Sequence, residues 1–202
     1  MINVKLNGDD VLFDHPEAST IADVVGTIAQ ELEQDLRIVK VSYNGEDISG
    51  KPERHLDLLN GDNVFELETT RAVDLANETL ESITEFHGAV VKELSRTVET
   101  FRAGSFELAN EQLLRCLDGL QVLTRTTHSV GTLYQVTAVD IQAGQQNLEK
   151  LTEKISSILE EMVQAQENRD GILLADLIEY ELQMLLEDWN VALEYMKTLG
   201  AV

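Results

Sequence analysis

The sequence predicts an α+β protein. Residues 1–70 form a domain of strands and one helix, and residues 71–202 form an up-down antiparallel four-helix bundle. Three observations predict it. Both prolines, Pro16 and Pro52, fall in the first 70 residues. Before residue 70, short apolar runs are separated by Asn-Gly turn signals; after it, apolar residues recur three and four apart. Charge does not separate the two parts: residues 1–70 hold 15 acidic and 5 basic residues, and residues 71–202 hold 22 and 10. Neither part is therefore a solvating tail, and each has its own apolar pattern.

The first strand is marked by Ile2, Val4 and Leu6 alternating with Asn3 and Lys5, the period of two of a half-buried strand. Asn7-Gly8 is a hairpin turn signal, because both central positions require positive φ. Val11 to Phe13 supplies the returning strand. Ser19 or Thr20 caps a helix whose stripe is Ile21, Val24, Val25, Ile28 and Leu32. Ile38 to Tyr43 is a β-branched strand followed by a second turn, Asn44-Gly45. A short apolar stretch holds Leu56, Leu58 and Leu59, and Asn60-Gly61-Asp62 turns the chain into a last strand, Val64 to Thr69.

The order is ββαββ. With its opening hairpin, a helix after Ser19-Thr20, the run Val41 to Ile48 and the closing Leu58 to Leu67, the segment Met1–Thr70 resembles a β-grasp, ubiquitin-like domain. The resemblance implies a fold and not an activity. The β-grasp carriers use a free C-terminal Gly-Gly, whereas here the last strand runs through Thr69-Thr70-Arg71 into helix. The resemblance therefore implies a recognition module and not a carrier.

The remainder reads as four helices. The first stripe is Val73, Ala76, Leu80, Ile83, His87, Val90, Leu94 and Phe101. Gly104 and Ser105 stop it and start the next, Phe106, Ala109, Leu113, Cys116, Leu117, Leu120 and Leu123. Five β-branched residues with Ser129 and Gly131 predict a break within 124–132. The third stripe runs Ile141, Gly144, Leu148, Leu151, Ile155, Ile158, Met162 and Ala165, and Asn168 to Gly171 breaks it. Gly119 and Gly144 lie inside helical patterns, so packing must offset a cost of about 1 kcal/mol each. Short connections predict antiparallel neighbours. The last helix, Ile172 to Leu199, has one face of Leu174, Ile178, Leu185, Trp189, Ala192, Met196 and Leu199. Further apolar residues lie off it: Leu173, Leu177, Tyr180, Met184, Val191 and Tyr195. So wide a surface fits either a helix covered on several sides or a docking site for a partner helix or a second copy.

Several chemistries find no support. A net charge of −22 disfavours nucleic acid as a partner. No apolar run reaches the roughly 20 residues of a membrane span, and Met-Ile-Asn-Val-Lys carries no signal-peptide core. One cysteine suits a reducing compartment, and a cytoplasmic location is expected. A di-iron bundle needs Glu-x-x-His, but Thr84 and Arg125 stand three residues before His87 and His128. His87 is expected to be a core histidine with one satisfied hydrogen bond, and Cys116 a buried apolar residue. His15, His55 and His128 read as loop or element-end residues. No EF-hand spacing, phosphate loop or G-x-S-x-G elbow occurs. No enzyme activity, catalytic residue, metal or cofactor is expected.

The stretch Phe101 to Ala109 is similar to the inter-helix turn of flagellin-export chaperones, and Leu185-Leu186-Glu187-Asp188-Trp189 is similar to part of their last helix. That resemblance implies a bacterial, cytoplasmic chaperone holding an aggregation-prone helix. The expected function is a non-enzymatic adaptor or chaperone-like module that binds a partner helix through apolar bundle surface. The candidate partner-binding residues are Leu177, Tyr180, Met184, Val191 and Tyr195, with Asp176 and Glu179 three apart on a bordering face. Those two carboxylates could orient a basic partner or pair with a Lys or Arg of the same chain. The alternatives are a structural homo-oligomer such as a homodimer, and a small-ligand or metal-dependent enzyme with a site at the domain interface.

Overall fold

The structure, a computed structural model, describes residues 2–13, 20–57 and 64–200. Ser19, Leu58, Leu59, His15 and the expected turn at Asn60-Gly61-Asp62 lie outside the described residues. The fold is α+β, and the chain divides into two compact units, Met1–Leu75 and Ala76–Val202.

The first unit contains β1 (Ile2–Leu6), β2 (Asp9–Phe13), α1 (Ile21–Glu31), β3 (Leu36–Tyr43), β4 (Glu46–Asp47), a 3-10 turn (Pro52–Leu56) and β5 (Val64–Arg71). They form a five-stranded mixed sheet in the order β2-β1-β5-β3-β4, with β1 and β5 parallel and the other pairs antiparallel. Both Asn-Gly turns form with positive φ at each position: 52° and 90° at Asn7-Gly8, 51° and 79° at Asn44-Gly45. Their asparagines also bind β5. Asn7 Nδ2 donates to Thr69 Oγ1 at 2.8 Å, and the Val64 N–H donates to Asn44 Oδ1 at 3.0 Å. Each turn residue thus anchors its hairpin to a strand distant in sequence.

Thr20 caps α1 with a reciprocal capping box. Thr20 Oγ1 accepts from the Asp23 N–H at 3.2 Å, and Asp23 Oδ2 accepts from the Thr20 N–H at 2.9 Å. The helix buries Ile21, Val24 and Ile28 in one core with Val4, Val41, Tyr43, Ile48, Phe65 and Leu67. β5 shows the expected alternation, with Phe65 and Leu67 buried and Val64, Glu66 and Glu68 exposed.

After β5 the chain continues as α2 (Ala72–Arg102), α3 (Phe106–Leu133), a small hairpin of β6 (Gln142–Ala143) and β7 (Gln146–Asn147), and α4 (Leu148–Glu167). The last helix follows in three parts: α5 (Gly171–Asp176), a π-helical segment (Leu177–Leu182) and α6 (Gln183–Leu199). Cross-helix contacts give the directions. Glu93 of α2 meets Arg115 of α3, and Val90 lies against Gly119, so the two run antiparallel. Arg102 meets Asp176, Ser95 meets Gln183, and His87 meets Leu186, so α2 and the last helix are antiparallel as well.

Three expectations about the helices need correction. The break within 124–132 is absent, and α3 runs through to Leu133. Its β-branched and serine residues bond back along the helix: Thr124 Oγ1 to the Leu120 carbonyl, Thr127 to Leu123, Ser129 to Arg125 and Thr132 to His128. These hydroxyls satisfy themselves within the helix and need no turn. Second, the third helix begins at Leu148 and not at Ile141. Ile141 and Gly144 belong to the connection, where Gly144 has φ 63° and a Cβ would lie 2.4 Å from Asp188 Oδ1. Gly144 is therefore a turn glycine and not a seam glycine. Third, the last helix is not one regular helix. The Gln183 N–H bonds the Ile178 carbonyl, five residues back, in place of the α-helical four. Gly119 lies inside a helix as expected, and it is this glycine that stands on a helix seam: a Cβ there would lie 2.9 Å from Val90 Cγ2.

Candidate functional site

The core of the helical unit is filled by the expected stripes, and the outer edges of the α3 and α4 stripes, with Leu159 and Val163 beside them, line a groove. One stretch of it, about 460 Å³, is walled by Leu113, Leu117, Leu120, Ile155, Leu159 and Met162. A second stretch, about 480 Å³, lies beside Thr124, Arg125, His128, Leu148 and Thr152. The two share Thr124, Thr152, Ser156 and Trp189, so they adjoin along the α3–α4 seam. The lining residues recur three and four apart on both helices. From Leu148 to Gln166 the α4 wall is about 27 Å long, or five helical turns.

Trp189 of α6 reaches the floor of this groove and is 2% exposed. Its indole Nε1–H donates to Thr127 Oγ1 at 3.2 Å, and that hydroxyl donates to the Leu123 carbonyl at 2.8 Å. The floor is thereby fixed by a buried hydrogen-bond chain. Leu117 and Leu159 are half-buried, and Val163 at the edge is 55% exposed. The charged residues at the groove are Asp118, Glu149, Glu153 and Arg125.

A smaller cleft of about 340 Å³ lies on the other side of α4, against the last helix. Lys154, Ile158, Tyr180, Glu181, Met184 and Leu185 line it. Two of the residues expected from the sequence are therefore here: Tyr180 and Met184 are 59% and 63% exposed. Val191 is exposed further along α6. Tyr195 is half-buried against the core. Leu177 is not at the surface. It is 4% exposed and part of the core, because the π-helical segment turns it inward.

Asp176 and Glu179 face Arg102 of α2, which takes both carboxylates from one guanidinium nitrogen, the first at 3.2 Å. The Arg102 guanidinium also stands over the Tyr180 ring, 5.9 Å from its centre. Of the two roles weighed for these carboxylates, the structure has the intramolecular helix–helix pair. The same contacts secure the start of the π-helical segment.

His87 is buried, and its Nε2 lies 2.9 Å from the Leu186 carbonyl, so this nitrogen carries the hydrogen. Burial pushes the imidazole below its ordinary value, more than the carbonyl raises it. Cys116 is buried, and burial raises its thiol while Thr97 acts in the opposite sense. A neutral, enclosed thiol is a poor nucleophile. His55 Nε2 lies 3.0 Å from the Ile48 carbonyl. Among the described residues no group of three or more His, Cys, Asp and Glu is placed to hold a metal ion. Among them too, no helix is long and apolar enough to cross a membrane.

Leu113 and Leu120 are buried in the core as their stripe predicts, with Leu117 packed against it, and the groove beside them was not foreseen from the sequence. The available signal was the apolar pair Leu159 and Val163 flanking the α4 stripe.

Comparison with curated proteins and with solved structures gives no match. A family model does match, over residues 78–192, which is more than half of the chain and runs from α2 into α6 across both clefts. The chain belongs to the family described as a domain of unknown function, DUF8042.

Proposed function

We propose that this chain is a non-enzymatic protein-interaction module, adaptor-like or chaperone-like, that binds a partner helix in the groove between α3 and α4. The observation that carries the reading is the apolar stretch of the groove, where Leu113, Leu117 and Leu120 of α3 face Ile155, Leu159 and Met162 of α4 at helical spacing over Trp189, with a more polar stretch beside it. Such a shape suits an amphipathic helix, whose apolar positions at i, i+3, i+4 and i+7 repeat with the walls. The strand order of the first unit supports a β-grasp, ubiquitin-like reading of that part, with recognition as its role. The single buried cysteine and acidic surface fit a cytoplasmic setting.

The test is affinity capture from the native lysate with the full-length chain and two variants. Leu159→Gln/Val163→Glu alters the groove, and Tyr180→Ser/Met184→Gln alters the smaller cleft. A partner retained by the parent and the second variant, and lost with the first, supports the groove. Loss only with the second variant moves the site to the last helix. Capture of the chain's own copies alone contradicts the reading and favours a structural oligomer.

A further inference from the structure

The charged side chains at the groove are not balanced. Asp118 on α3 and Glu149 and Glu153 on α4 stand against Arg125 and the neighbouring His128, and all five are exposed. Some carboxylates of this unit are matched within the chain, Glu93 by Arg96 and Arg115, Glu107 by Arg169, Asp176 and Glu179 by Arg102, and Glu194 by Lys197, while others, such as Glu78, Glu81 and Glu85 on α2, are not; the groove carboxylates differ from these by their place beside an apolar cleft. Among the described residues, Asp118, Glu149 and Glu153 take part in no such pair. They flank an apolar floor from both walls. A helix lying there would put its apolar stripe on Leu117, Leu159 and Val163 and its flanking positions beside these carboxylates.

We infer that the groove's occupant is a basic amphipathic helix of a partner protein, about 18 residues long, with Lys or Arg on both sides of its apolar stripe. This rests on the proposed function and adds the chemistry of the ligand. A second copy of this chain is disfavoured as the occupant, because its 37 acidic residues against 15 basic ones would bring like charges together at the rim. The rim charges supply selectivity and speed of encounter, and the apolar floor supplies the bulk of the affinity.

Three designed peptides test this on the full chain. Each has the same leucine stripe and no tryptophan, and their flanking positions are Lys/Arg, Gln or Glu. Binding is read from the emission of Trp189, the single tryptophan. The basic peptide is expected to bind tightest, and to weaken about tenfold between low salt and 0.5 M salt as the exposed pairs are screened. The variant Asp118→Asn/Glu149→Gln/Glu153→Gln is expected to bind the basic peptide about tenfold more weakly and the Gln peptide unchanged. A control, Glu78→Gln/Glu81→Gln/Glu85→Gln, removes the same formal charge from exposed sites on α2 and is expected to leave the basic peptide within about twofold. Equal weakening by both variants overturns the inference, since net charge alone would explain it. Equal binding of the basic and Gln peptides also overturns it, while leaving the groove as a helix site. If no peptide changes the Trp189 emission, the proposed function fails with it.

Discussion

Replacing Thr127 by valine removes the acceptor beneath Trp189 while keeping the side-chain shape. The indole Nε1–H is a donor only, and its partner is the Thr127 hydroxyl at 3.2 Å. Trp189 is 2% exposed and Thr127 is fully buried, so water does not replace the lost bond. Leaving a buried donor unpartnered costs about 1–3 kcal/mol. Valine and threonine are both β-branched, so helix propensity changes little. Losing the polar hydroxyl from the core offsets part of the penalty, which leaves a net destabilisation of about 1–2 kcal/mol. For a chain of this size that lowers Tm by about 2–8 °C. Urea unfolding followed by Trp189 emission and by far-UV circular dichroism measures it. Thr127→Ser is the control, since it keeps the hydroxyl and the indole bond and loses only a methyl group, worth about 1 kcal/mol. The native emission of the serine variant is expected to match the parent, and that of the valine variant to shift. A valine variant as stable as the parent, with unchanged emission, would show that this hydrogen bond does not fix the groove floor.

Three further outcomes follow from the same geometry. Burial lowers the His87 imidazole below its ordinary value in the folded protein, so the unfolded chain takes up the proton first as pH falls below about 6.5, and stability falls with it. His87→Gln should make the stability profile less steep between about pH 6.5 and 5.5 in urea unfolding; identical slopes contradict it. Gly144→Ala places a Cβ on a residue with φ 63° and against Asp188, displacing the Gln146–Asp188 hydrogen bond of 3.2 Å, and should destabilise by about 1–3 kcal/mol in thermal unfolding. Arg102→Gln releases Asp176, Glu179 and Tyr180 together, so amide exchange across Leu177–Leu182 should speed up severalfold while exchange in α4 stays as it was.

Much of the fold is legible in the residues because local signals and packing agree. Asn7-Gly8 and Asn44-Gly45 demand positive φ at both positions, and only a tight hairpin uses that. Thr20 three residues before Asp23 makes a reciprocal cap. His87 and Cys116 sit on stripes and are buried as expected. Where the reading failed, a second solution to the same local problem was available. Thr124, Thr127, Ser129 and Thr132 look like a break, but each hydroxyl finds a carbonyl one turn back. In the last helix a strict period of 3.6 selected Leu185 for the core. The buried series is instead Leu174, Ile178, Leu182 and Leu186, four residues apart each time. On a regular α-helix each such step drifts about 40°. The π-helical turn takes an extra residue and absorbs part of that drift, which also draws Leu177 inside. The groove was least legible, because a residue lining a seam and a residue filling a core share the same periodicity. Only the distance between α3 and α4 separates them, and that is set by packing and not by local sequence.

The most direct measurement of the central claim is a methyl NMR titration of the full chain with the basic amphipathic peptide. Methyl groups of Leu113, Leu117, Leu159, Met162 and Val163 line the groove, while Met184 and Val191 are exposed on the last helix away from it. Helix binding in the groove predicts saturable shifts concentrated on the first set, with Met184 and Val191 unmoved. Shifts concentrated on Met184 and Val191, or no saturable shifts at all, would contradict it.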